Sequence, residues 1–174
     1  MKEDKSQLLN YAMYAGVYLG LFWVFKYFFV VTGLIYPALN FLGTLLSIGT
    51  PVLLFIFLLK YSQELQNGKM GFWHGVKFSI LLFFFASILE SMIVFIHVQW
   101  IDPTFISDLF ESMGELAKTI GVGEKLSTRL SEQPLPSPFD YVFSNVIMAD
   151  VFLGLVLSLF IVPLSTRYKQ KQNI

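Results

Sequence analysis

Three charged residues stand alone in long apolar runs: Lys26, Glu90 and Asp150. The stretch LLFFFASILESMIVFIHVQWIDP, from Leu81 to Pro103, carries Glu90 near its centre and no further Asp, Glu, Lys or Arg before Asp102. A carboxyl in such a run has two plausible tasks. It can fix helix packing as a neutral or ion-paired group, or it can take up and release a proton on a transport path. Metal chemistry is not indicated. His74 and His97 have no second ligand at a useful spacing and read as packed or interfacial side chains. The chain has no cysteine, which removes thiolate nucleophiles, disulfides and sulfur-ligated metals. There is no phosphate-binding glycine loop, no HExxH and no G-x-S-x-G. No catalytic residue, cofactor or metal is therefore assigned, and the chain reads as a non-enzyme.

The elements around these charges follow from composition. The 174 residues are 55% hydrophobic, 17% aromatic and 14% charged, with mean hydropathy +0.64. Soluble domains carry about 25% charged residues, so this chain cannot wet its own surface. A net charge of zero argues against a nucleic-acid partner, which needs a basic footprint. The expected fold class is all-α: a polytopic membrane protein, one domain of four transmembrane helices. About 20 apolar residues cross a bilayer as a helix, and runs at 8–31, 35–59, 78–101 and 141–164 meet that length. The first is too long for a signal-peptide core and is expected to stay in the mature chain.

Lysine and arginine orient the spans. Lys2, Lys5, Lys60, Lys69, Lys77, Arg167, Lys169 and Lys171 fall on one side, against Lys118, Lys125 and Arg129 on the other. The positive-inside rule then places both termini in the cytoplasm. A turn at Asn67-Gly68 is expected in the cytoplasmic loop. The outer segment, 102–138, opens with Asp102 as N-cap and Pro103 at the first helical position. Phe105, Ile106, Leu109, Phe110, Met113 and Leu116 then recur at helical spacing, with Asp108, Glu111 and Glu115 opposite. This predicts an extracytoplasmic amphipathic helix ending near Gly121, followed by a short helix from about Glu124.

At about 1.5 Å rise per residue, Glu90 lies near the membrane midplane, Asp150 ~4 Å outward and Lys26 ~10 Å outward. Helical side chains lean toward their own N-terminus, so Lys26 and Asp150 lean toward each other. A Lys26–Asp150 pair is expected if the first and fourth helices are neighbours. Glu90 leans away from Lys26 and is expected to stay neutral, bonded to Ser87, Ser47 or Thr50. Ala12, Gly16 and Gly20 form a small-residue stripe for close helix contact, within the chain or with another. Pro51 predicts a kink. Tyr36, Trp73, Trp100 and Tyr141 read as interfacial anchors. No internal repeat relates the two halves, which weakens an inverted-repeat transporter reading.

The block GKMGFWHGVKFSILLFFFASILESMIVFIHVQWIDPTF resembles the central part of a Bacteroidota membrane family known as domain of unknown function 4199. Gly68, Gly71, Phe72, Gly75, Lys77 and Asp102-Pro103 carry the resemblance. The resemblance implies four spans and no particular activity. It also implies a bacterial inner-membrane location and a cell-envelope role near membrane glycosyltransferases.

The leading expectation is a non-catalytic assembly or accessory subunit of an envelope membrane complex, in contact with lipid and with a second copy or another membrane protein. The alternative is a small proton-coupled carrier using Glu90 and Asp150, with Lys26 as counter-charge. A lipid-handling enzyme ranks last.

Overall fold

Within a membrane every backbone N–H and C=O must be satisfied by its own segment, which makes helix the only form open to apolar runs of this length outside a closed barrel. The computed structural model describes residues 2–33, 36–64, 70–119 and 134–172, and among these it has no strand. The helices are α1 (Lys2–Gly33), α2 (Pro37–Leu46), α3 (Gly49–Glu64), α4 (Phe72–Ile96), α5 (Phe105–Thr119), α6 (Pro138–Val142) and α7 (Ala149–Gln172). Two π-helical turns extend them, His97–Ile101 after α4 and Phe143–Met148 between α6 and α7. Four stretches are long and apolar enough to cross a membrane: Ser6–Gly33, Phe41–Glu64, Phe72–Ile101 and Pro138–Tyr168. The expected turn at Asn67-Gly68, the stop at Gly121 and the helix from Glu124 lie outside the described residues.

Helix α1 packs most extensively on α4, α4 packs on α7, α7 on α3, and the second span closes back on α1 through α2. The first and fourth spans therefore face each other across the bundle. The buried positions of α1 include Leu8, Ala12, Ala15, Leu19 and Trp23, a single stripe at helical spacing. Gly16 and Gly20 lie beside them. A Cβ on Gly16 would stand 2.6 Å from the Cβ of Phe85, and one on Gly20 would stand 2.8 Å from the carbonyl oxygen of Ala86. The small-residue stripe is thus occupied by α4 of the same chain.

The second span breaks one turn before its proline. Pro51 has no N–H for the Ser47 carbonyl, and its ring crowds that carbonyl. The helix tightens there instead: the N–H of Thr50 donates to Ser47 O at 3.2 Å, and that of Ile48 to Leu45 O at 3.2 Å. Trp23 docks at the break, its Nε1–H donating to Thr50 Oγ1 at 3.0 Å.

The start of α5 corrects one expectation. Asp102 and Pro103 do not cap or begin the helix, which starts at Phe105. The third span runs on through its π-helical turn to Ile101, and the Asp102 N–H closes that turn by donating to His97 O at 2.8 Å. Asp102 therefore closes one helix with its N–H, while its carbonyl accepts from the Phe105 N–H at 3.2 Å where the next begins. Thr104 links the two, its hydroxyl lying 3.0 Å from Asp102 Oδ1 and 3.1 Å from Asp108 Oδ2. On α5, Ile106 and Ala117 are buried, while Asp108, Glu111 and Glu115 are exposed, as are Met113 and Leu116. The return into the fourth span is capped by Ser137, whose Oγ accepts from the Asp140 N–H at 3.2 Å and donates to Asp140 Oδ2 at 2.6 Å, with Pro138 in the first turn.

Candidate functional site

Helix α4 is the centre of the bundle, and one continuous face of it is buried from Gly75 to Val94. Glu90 lies on that face, 9% exposed, in line with Phe83, Ser87 and Val94. Asp150 enters from the second position of α7, and the two carboxyl groups adjoin each other. Two ionised carboxylates offer only acceptors, so a hydrogen bond between them needs a proton on one. Lys26 reaches in from α1. Its ammonium lies 5.9 Å from the centre of the Trp23 ring, one turn back along α1, and within electrostatic reach of both carboxyls. One shared proton on the pair together with one lysine charge sums to neutrality, the balance that a low-dielectric interior favours. Asp150 Oδ2 is buried without a hydrogen-bond partner.

The arrangement differs from the expected pairing. No direct Lys26–Asp150 ion pair forms among the described residues, because the first and fourth spans are not neighbours and α4 supplies Glu90 between them. Nor does Glu90 bond the expected hydroxyls. Ser87 donates to Phe84 O at 2.8 Å, Ser47 to Gly43 O at 3.2 Å, and Thr50 receives Trp23. In an apolar helix a serine satisfies itself most readily on its own preceding turn.

The surroundings of the cluster are unequal at its two ends. Toward the chain termini it rests on a plug. Phe83, fully buried, sets its ring edge-to-face on Trp23 at 5.1 Å. The same ring fills the notch left by Gly154 of α7, where a Cβ would meet Phe83 Cγ at 2.6 Å. Toward the opposite end, which carries α5 and is here termed distal, the core turns polar. The Tyr27 hydroxyl and His97 Nδ1 lie 2.7 Å apart, and His97 is 3% exposed. Phe105 packs on the His97 ring at 5.2 Å and Tyr141 on Phe105 at 6.3 Å. Both π-helical turns lie at this level, and such turns recur at functional sites.

A second tyrosine–histidine contact sits beyond the plug, at the termini end. Tyr61 Oη and His74 Nε2 are 2.6 Å apart, with the rings stacked 5.6 Å between centroids. Both histidines are thus held by tyrosines. The sequence held one clue to the first: His97 follows Glu90 by seven residues, two helical turns on the same face. The pairing with Tyr27, 70 residues away, had no local signal.

No curated protein and no solved structure matches the chain. Residues 14–162 match the family described as "Protein of unknown function (DUF4199)", a stretch that reaches into all four spans and includes Lys26, Glu90 and Asp150, and the chain belongs to that family.

Proposed function

We propose that this multi-pass membrane protein is a small proton-coupled carrier in which the Glu90–Asp150 pair holds the exchanging proton and Lys26 balances its charge. The single observation behind this reading is the adjoining pair of carboxyl groups in the bundle core, within electrostatic reach of the half-buried Lys26. A pair joined through one proton is a site that can lose it, and intramembrane carboxyls of this kind mark proton paths. The distribution of lysine and arginine supports both termini being cytoplasmic, which makes the distal end the outward one, and the family resemblance supports a bacterial inner-membrane location. The whole chain then acts as one domain.

The test is equilibrium infrared titration of the protein in lipid nanodiscs. A carboxylic-acid signal that disappears as pH rises is expected, and Glu90→Gln should remove it while the protein still elutes as wild type. A titration identical in wild type and in Glu90→Gln would refute the assignment.

A second reading, an accessory subunit of an envelope complex, is supported by Met113 and Leu116, which α5 leaves 49% and 60% exposed at the distal end. A partner there would be a membrane protein, for which an envelope glycosyltransferase is the class that the family resemblance suggests. The stripe of Ala12, Gly16 and Gly20 no longer supports self-association, since α4 covers it. Purification in mild detergent with mass spectrometry tests this reading, and a stoichiometric partner would support it.

A further inference from the structure

We propose that Tyr27 and His97 form the proton path between the distal end of the bundle and the Glu90–Asp150 pair, and that the pair exchanges protons from that end alone. The inference rests on reading that pair as the proton-binding element, and adds how the proton reaches it.

Three observations support the path. First, the tyrosine–histidine contact is short, 2.7 Å, and occupies the space between the carboxyl pair and the distal surface. His97 stands two turns beyond Glu90, about 10 Å along α4. The Tyr27 phenol is within electrostatic reach of Glu90 on one side and of Asp102 on the other, with Tyr141 alongside. The titratable and charged groups around the path are therefore Lys26 on α1, Glu90 on α4, Asp102 after the π-helical turn, Tyr141 on α6 and Asp150 on α7. Asp102, at the end of the span, is placed to collect protons.

Second, the π-helical turn holds His97 inward. The Asp102 N–H donates to His97 O at 2.8 Å, which widens the turn and keeps the buried imidazole facing Tyr27. The groove on the lipid side of this pair, about 430 Å³, is apolar and lined by residues such as Val24, Phe28, Val31, Ile93 and Ile96. Polar atoms of the pair thus face the core, where a proton can be passed without exposure to hydrocarbon.

Third, the other direction is closed. Trp23 and Phe83 are 1% and 0% exposed and pack against Gly154 directly beneath the cluster. The buried serines near the plug are turned to their own helices: Ser79 donates to Gly75 O, Ser87 to Phe84 O and Ser158 to Leu155 O. Each of these bonds stays within its own helix, so none links the cluster to a neighbouring polar group as a relay.

The transfer balances without a co-reactant. With Nδ1 protonated, His97 donates to the Tyr27 oxygen, and the Tyr27 O–H gives its proton to the ionised carboxyl. His97 Nε2 takes one proton from the distal side. One proton has then moved inward, Tyr27 is again a phenol, and His97 is neutral in its other tautomer. Return of the proton to Nδ1 resets the path.

The test is a pH jump on the protein in nanodiscs, with the carboxylic-acid infrared signal followed in time. Tyr27→Phe keeps the ring and removes the relay oxygen. It should slow the signal by about 10²-fold, the usual contribution of a positioned proton-transfer group, while the equilibrium extent stays at the wild-type value. His97→Gln should behave alike, and Tyr61→Phe, at the termini end, should leave the rate unchanged. A merely structural role for Tyr27 would change stability or extent but not rate alone. Wild-type rates in both Tyr27→Phe and His97→Gln, with the signal still abolished by Glu90→Gln, would overturn the path and leave the carboxyl site standing. A signal that survives Glu90→Gln would overturn both.

Discussion

Placing one methyl group on Gly16 tests the central contact of the bundle. A Cβ there would lie 2.6 Å from Phe85 Cβ and 3.0 Å from the Leu82 carbonyl oxygen. Neither atom can rotate away, since one is fixed to the α4 backbone and the other is part of it. Relief therefore requires α1 and α4 to separate by roughly 1 Å, which loosens packing along the whole stripe from Ala12 to Trp23. Overpacking of this kind costs about 1–3 kcal/mol. At about 1.4 kcal/mol per tenfold, Gly16→Ala should lower the folded-to-unfolded ratio by about fivefold to a hundredfold or more. Gly20→Ala should do the same, because its nearest neighbour is backbone, Ala86 O at 2.8 Å. Gly114→Ala is the control. It meets nothing within 4 Å on α5 and should stabilise by up to about 1 kcal/mol through helix propensity. The assay is denaturant unfolding in mixed micelles, with the oligomeric state measured in parallel by light scattering. If Gly16→Ala and Gly20→Ala leave unfolding unchanged but dissociate an oligomer, the stripe contacts another chain and the α1–α4 packing is wrong. The outcome also bears on function, because an assembly surface and an internal seam cannot both occupy that stripe.

Two further substitutions probe the site's supports. Thr50→Val removes the acceptor for Trp23 Nε1–H at the break of the second span. It should destabilise by about 0.6–1.7 kcal/mol, as interhelical hydrogen bonds in membranes do, and a cycle with Trp23→Phe should give a coupling of that size. No coupling would mean that the two side chains are not bonded. Phe83→Ala empties the plug beneath the cluster. It should cost about 3 kcal/mol, the low end of the soluble range, because hydrocarbon solvent removes much of the water-transfer contribution. It should also open exchange at the carboxyl pair from the termini end, so that Phe83→Ala restores fast proton uptake to Tyr27→Phe. Slow uptake in that double variant would show that the plug does not separate the pair from that end.

Most of the fold was legible in the sequence because the membrane leaves few choices. Four apolar runs of sufficient length must become helices, and the described spans overlap every one of them. Pro51 announced the break in the second span, though the break appears at Ser47 and Ile48, where the missing N–H is felt. The three charges that draw attention in the sequence, Lys26, Glu90 and Asp150, are the three that meet in the core. Expense alone singled them out, since a charge in an apolar span must find protein or water. Their partners were another matter. Side-chain lean along each helix suggested Lys26 with Asp150, but lean says nothing about which helices are neighbours. Only the packing order, with α4 between α1 and α7, gave Asp150 to Glu90. The same holds for Tyr27 with His97 and Trp23 with Thr50, which join residues 70 and 27 positions apart. Hydropathy records how deep a residue lies along its own helix. Rotation about that helix, and the choice of neighbour, come from interlocking shapes such as Gly16 on Phe85 and Phe83 on Gly154, which exist only once the bundle has closed.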